Sequence, residues 1–221
     1  ATNGFTAKLT AETPDAKDFS ESIDSPLTYN PKAAKKHFEK AKKDLGVKNI
    51  TFTMNTEDTP DAKISAEYIK SQVESTLPGV TLKIKQLPFK QRLNQESTET
   101  FEASLSGWGP DYPDPLTFLN IMTTGNSNNN TAWSSKEYDK LVKDANGKLL
   151  KKPEERNAAM KQAEELMLND APVAPIYQKG EAHLTNPQVK GLVYHQIGGD
   201  TTLKDVTIDK DIDPKTGKKK D

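Results

Sequence analysis

From Asn49 to Leu87 the spacing of apolar residues changes period twice, and few folds accommodate that change. Ile50, Phe52 and Met54 alternate with polar residues, the period-two signature of a half-buried strand. From Asp61 onward Ile64, Tyr68 or Ile69, Val73 and Leu77 recur at helical spacing until Pro78-Gly79 ends the run. Val80–Leu87 (VTLKIKQL) then alternates again. A strand, a helix and a strand in this order make a βαβ unit, whose right-handed crossover leaves the two strands parallel. The expected class is α/β, a mixed β-sheet with flanking helices.

The flanking sequence extends this unit in both directions. Residues 1–28 hold Pro14 and Pro26 and no sustained period, so they read as an irregular lead-in. Asn30-Pro31 supplies N-cap and first-turn chemistry for a helix with Ala34, Phe38, Ala41 and Leu45 on its apolar stripe, closed by Gly46. Its many lysines read as a solvated face. Phe89 to Leu93 fits one helical turn, followed by a polar connector, QESTET. Phe101, Ala103 and Leu105 alternate into a turn, GWGPDYPDP, at residues 107–115. Pro115 to Met122 reads as a short helix, and TTGNSNNNT (123–131) as a mobile loop with nothing apolar to bury. Ser134 and Glu137 form a capping box for a helix stopped at Asn146-Gly147, and Pro153 opens another with Ala159, Met160, Ala163, Leu166 and Met167 inward. The prolines in APVAPIY (171–177) restrict it to an edge strand, and Glu181 to Leu184 reads as a further short one. The lobe is therefore expected to span 29–194, with 195–221 an extension ending in a disordered charged tail, DKDIDPKTGKKKD.

Composition narrows the chemistry. Hydrophobic residues make up 33% and charged residues 29% of the 221, and mean hydropathy is −0.80, which favours one compact core with solvated ends. A net charge of −1 gives no electrostatic case for nucleic acid or an anionic membrane. The absence of Cys removes disulfides, thiolate metal sites and Cys nucleophiles. No apolar run approaches the length of a bilayer span, and ATNGFTAKLT has no signal-peptide pattern, so a water-soluble chain is expected, mature or cut from something larger.

Asp111 and Asp114 are a close acid pair beside aromatics, so a carboxylate-dependent hydrolase is one reading. Nothing nearby supplies a nucleophile, base or oxyanion cradle, and the sequence has no Walker loop, G-x-G-x-x-G or G-x-S-x-G motif. His37, His183 and His195 lack metal-ligand spacing. Neither a metal nor a cofactor is expected, and the enzyme reading has no mechanism behind it. A binding reading has one. A carboxylate held in a rigid turn takes an ammonium through a charge-assisted hydrogen bond. Gly107 and Gly109 admit a close backbone, and Trp108 and Tyr112 can shield the ion pair. Asp111 could equally be an Asx turn former bonded to its own backbone, and Trp108 a core aromatic.

In this turn, and in the order of pieces around it, the chain resembles the extracytoplasmic oligopeptide-binding proteins of bacterial ABC importers. The pieces are YNPKAAKKHFEKA, NITFTMNTEDTPDAKISAEYIKSQVES, GVTLKIKQLPFKQRL, FEASLSGWGPDYPDPLTFLNIM, TAWSSKEYDKLV and ERNAAMKQAEELMLNDAPVAPIY, covering Pro26 to Tyr194. The resemblance implies one lobe of a two-lobed periplasmic-binding-protein-like fold, the second, with the first lobe and the acylated N-terminal Cys missing. It implies an extended peptide between the lobes, its α-amino group on the aspartate that Asp111 matches, and backbone contacts where Gly107, Trp108 and Gly109 stand. Tyr112 follows the acid as in the family, Pro110 is a departure that removes a donor, and Tyr177 falls where a later strand passes the ligand. An oligopeptide ligand, permease subunits, a cell-surface lipoprotein parent and weak or no binding by this lobe alone are implied. The alternative is a receptor dedicated to one signalling peptide or another solute.

Overall fold

The structure is a computed structural model, and it describes residue 2 and residues 4–219. The chain groups into two compact units, one formed by Leu27–Trp108 with Ile121–Ser135, the other by the residues up to Pro26, Gly109–Asn120 and the chain from Lys136 onward. The sequence suggested one lobe over 29–194; the contacts divide that stretch.

The first of these units carries the βαβ motif. Helix α1 (Pro31–Leu45) begins at Asn30, whose side chain accepts from the Ala33 amide, and ends at Gly46 with φ +68°, where the left-handed backbone favours glycine. Of the expected stripe only Phe38 is buried, while Leu45 is exposed. Strand β1 (Ile50–Glu57), helix α2 (Pro60–Thr76) and strand β2 (Val80–Leu87) follow. The strands pair in parallel with Ile50 opposite Val80 and Glu57 opposite Leu87. Helix α3 (Phe89–Ser97) leads to β3 (Ala103–Ser104), which pairs in parallel with β1 on its other edge. The sheet order is β2-β1-β3.

The two sheet faces are covered differently. Met54, Leu82 and Ala66 of α2 form the buried cluster, with Phe52, Ile69, Ile84, Ala103 and Leu105 packed around it. Of the alternatives Tyr68 or Ile69 it is Ile69 that packs on the cluster, while Ile64 and Tyr68 are exposed; the small Ala66, 0% exposed, lets α2 lie close to the strands. The opposite face is polar. There Gln95 accepts from the Asn55 side-chain amide at 2.8 Å, and the buried Arg92 and Glu96, 3% and 4% exposed, join the half-buried Glu57 and Ser104 and the exposed Ser106 in a network. The first three residues of the polar connector, 95–97, therefore belong to the last turn of α3, which is longer than the single turn expected.

The second unit is mostly helical. Helix α4 (Leu116–Leu119) runs into a 3-10 turn over Asn120–Met122, and α5 (Lys136–Ala145) packs on α6 (Pro153–Asp170). Tyr138 and Val142 of α5 and Ala159, Met160, Ala163 and Met167 of α6 are buried where the two helices pack. Tyr138 donates its hydroxyl to the Leu119 carbonyl at 2.6 Å, and burial pushes its phenol pKa up. The lead-in is tied down by Glu164, which is 0% exposed and accepts from the Phe5 and Thr6 amides at 2.7 and 3.1 Å and from the Thr6 hydroxyl at 2.5 Å. Phe5 also meets Phe118 edge-on at 6.0 Å.

Residues 171–184 form no strand. The prolines that limited this segment to an edge leave it extended and unpaired in any ladder, with the Thr2 amide donating to the Ile176 carbonyl and the Gln178 side chain bridging the Lys8 backbone. Among the described residues antiparallel strands form two short ribbons, β4 (Val189–Lys190) with β7 (Thr207–Ile208) and β5 (Val193–Tyr194) with β6 (Thr201–Thr202), beside the isolated bridges Glu12–Asp18 and Ile212–Lys219. The α/β class stands, but parallel and antiparallel pairs lie in separate sheets. The tail expected to be disordered is folded back as far as Lys219: Ile212 is buried, and Asp213 accepts from the Lys215 amide. Residues 1 and 3 of the lead-in and 220–221 of the tail lie outside the described residues.

Candidate functional site

The GWGPDYPDP segment follows directly from β3. Gly107 and Gly109 are open to substitution in space: a Cβ built on either meets no atom within 4 Å. Neither has a positive φ, so the local backbone does not demand glycine. What the two glycines leave is bare main chain. Trp108 is 41% exposed and so is not the core aromatic that the sequence left open. Tyr112, also exposed, accepts at its hydroxyl from the Asn120 side-chain amide at 3.2 Å.

The two aspartates have separated roles. Asp114 accepts from the Leu116 amide at 3.0 Å, the Asx geometry that starts α4. Its carboxylate is also forked by Arg156, with Nη1 at 2.8 Å and Nη2 at 3.0 Å, and Arg156 is itself oriented by donating Nε to the Ala145 carbonyl. A carboxylate so occupied cannot act as a free acid or base. Asp111 is held through its backbone instead, its amide donating to the Thr117 hydroxyl at 2.9 Å. Among the described residues its exposed carboxylate has no partner. The Asx role that the sequence offered to Asp111 belongs to Asp114.

Tyr177 is exposed on the irregular segment, and Gln178 beside it is used by the Lys8 backbone. Sequence reasoning passed over Arg156 and Thr117, which hold the two acids. The available signal was an arginine placed three residues into α6 on the inner side, and a threonine buried in an otherwise apolar LTFL turn. The Asn-rich loop is also more ordered by contacts than expected: Asn129 donates to the carbonyls of Met122, Thr123 and Trp133 and accepts from Thr131. Among the described residues no group of three His, Cys, Asp or Glu is arranged to hold a metal, and no helix is long and apolar enough to cross a membrane.

Comparison with known proteins places this turn in a family. The model for bacterial extracellular solute-binding proteins, family 5 Middle, matches residues 2–130. The chain belongs to that family. Its members are solute-binding proteins rather than enzymes, and the family is extracellular. Among its curated relatives is the dipeptide-binding protein DppE of Bacillus subtilis (strain 168), 39% identical over 188 residues, 84% of this chain and 34% of the relative. The solved substrate-binding domain of an oligopeptide ABC transporter from Bacillus anthracis str. Ames is 36% identical with a TM-score of 0.88, over 94% of this chain and 40% of that one. Listeria monocytogenes OppA bound to peptide is 33% identical with a TM-score of 0.85, over 95% of this chain and 40% of the other. This family-5 chain thus spans about a third to two fifths of the length of these relatives.

Proposed function

We propose that this chain is one lobe of a longer peptide-capturing protein serving an ABC importer, and that the Gly107–Asp111 turn holds the peptide. Asp111 takes the α-amino group, and the bare main chain at Gly107 and Gly109 bonds the peptide backbone, so side-chain identity matters little. Trp108, Tyr112 and Tyr177 line the ligand. The observation that carries this reading is the asymmetry of the acids: Asp114 is consumed by Arg156, and Asp111 is fixed through its amide while its carboxylate stays free for a cation. The longer protein would be a lipid-anchored cell-surface receptor that delivers peptide to permease subunits.

Calorimetry on the full-length protein tests the anchor. A tetrapeptide and its N-acetyl form are compared on the wild type and on Asp111→Asn. A charge-assisted bond of roughly 1.5–3 kcal/mol predicts that acetylation weakens wild-type binding about ten- to a hundredfold and the variant's hardly at all. Equal loss in both proteins removes Asp111 from this role.

A further inference from the structure

We infer that Arg92, with Glu96, is a positioning residue for the backbone at Gly107 and Trp108; the inference rests on the reading of that turn as peptide-holding. Strand β3 has only two residues in register with β1, Ala103 opposite Met54 and Ser104 opposite Asn55, with the Leu105 amide adding a bond to the Asn55 carbonyl at 2.8 Å. A ladder this short is a weak determinant of register. Gly107 has no side chain of its own to anchor it. The polar network supplies what the ladder lacks.

Arg92 donates Nη1 to Glu96 at 2.5 Å and to the Ser106 hydroxyl at 2.8 Å, and Nη2 to Glu57 at 3.0 Å. Glu96 in turn accepts from the Ser104 hydroxyl. One guanidinium thereby joins the end of β1, helix α3 and the residue immediately before Gly107. Ser104 and Ser106, two apart, point to the polar face, while Ala103 and Leu105 pack in the apolar cluster on the other. The exit of the strand is gripped from both sides. These bonds leave from two nitrogens of one planar fork, a geometry that the single ammonium of a lysine does not reproduce.

The network is a poor device for stability alone. Arg92 is 3% exposed and its Nε finds no hydrogen-bond partner, and a buried ion pair is commonly matched or bettered by apolar residues of similar volume. What apolar residues cannot reproduce is the tie to Ser104 and Ser106.

The test uses the 221-residue chain with Trp133→Phe, which leaves Trp108 as its single tryptophan. Arg92→Lys and the paired Arg92→Met/Glu96→Leu are compared by amide hydrogen exchange and by time-resolved anisotropy of Trp108. The double variant fills the space without burying an unpaired charge, so it stays folded if Arg92→Lys does not. The expected result is at least a tenfold loss of protection at the Leu105 amide and faster Trp108 depolarisation, with protection of the β1–β2 amides unchanged. Unchanged Leu105 and Trp108 signals in a folded double variant would overturn the inference. So would a loss spread evenly over the β1–β2 pairs, which would make the network a plain stabiliser. No peptide enters the measurement, so its outcome is independent of whether Asp111 binds an amine.

Discussion

Asp111 and Asp114 are chemically identical and three residues apart, and their different neighbours predict different costs of removal. Asp114→Ala strips Arg156 of its carboxylate and α4 of its cap, so it should lower stability by about 1–3 kcal/mol. Asp111→Ala should stay within about 0.5 kcal/mol of the parent; urea midpoints of the two variants check the contrast. The sequence marked both acids but could not divide them, because Arg156 is 42 residues from Asp114 and only the fold brings it near. Glu164 was illegible for a related reason: in sequence it is one of several acids on α6, and its burial depends on the lead-in backbone. That burial raises its pKa above the usual 4.5, against the opposing pull of the Thr6 and Phe5 donors. A raised folded-state pKa means that the folded chain holds the proton longer than the unfolded one. Stability should therefore fall as pH rises from about 4.5 through the raised pKa. Glu164→Gln keeps an acceptor for the two amides and should flatten that fall in urea unfolding from pH 4.5 to 7; an equally steep fall in the Gln variant assigns it to another group.

At the scale of elements, strands were more legible than helix faces. The alternation of Ile50, Phe52 and Met54 fixes which side of β1 is apolar whatever covers it, and Met54 is indeed in the core. In α2 the stripe was legible only in part: Ile69, Val73 and Leu77 are half-buried, but Ile64 and Tyr68 are exposed and Ala66 is the fully buried residue. Hydrophobicity ranks alanine low, yet a helix lying close on a sheet needs small residues at the contact, and that is a property of the sheet. Ile64→Ser and Tyr68→Ser should accordingly be near neutral, while Ala66→Leu, overfilling a site with 0% exposure, should cost roughly 1–3 kcal/mol in urea unfolding. The buried Arg92–Glu96 pair escaped notice because the same i,i+4 spacing usually marks a surface pair. The Asn-rich loop was misjudged since composition cannot reveal that one carboxamide closes it. Asn129→Ala removes those bonds, so limited proteolysis should cut within 123–134 faster in the variant than in the parent; equal rates would mean that the bonds do not hold the loop.

Over the whole molecule, class and family were readable, because the βαβ periodicity and the GWGPDYPDP turn lie in continuous stretches. The division into two units was not, since each is assembled from separated segments. The chain spans 34% of DppE and 40% of the two solved relatives, and a lobe making part of the contacts should bind peptide weakly or not at all. Calorimetry giving sub-micromolar affinity for this chain alone would contradict that. The measurement closest to the central claim is native mass spectrometry of the full-length protein as purified from its own cells. Peptide capture through a free amine predicts a mixture of peptides of varied sequence with unblocked N-termini, depleted in Asp111→Asn; an empty protein, a non-peptide solute or N-blocked peptides would contradict it.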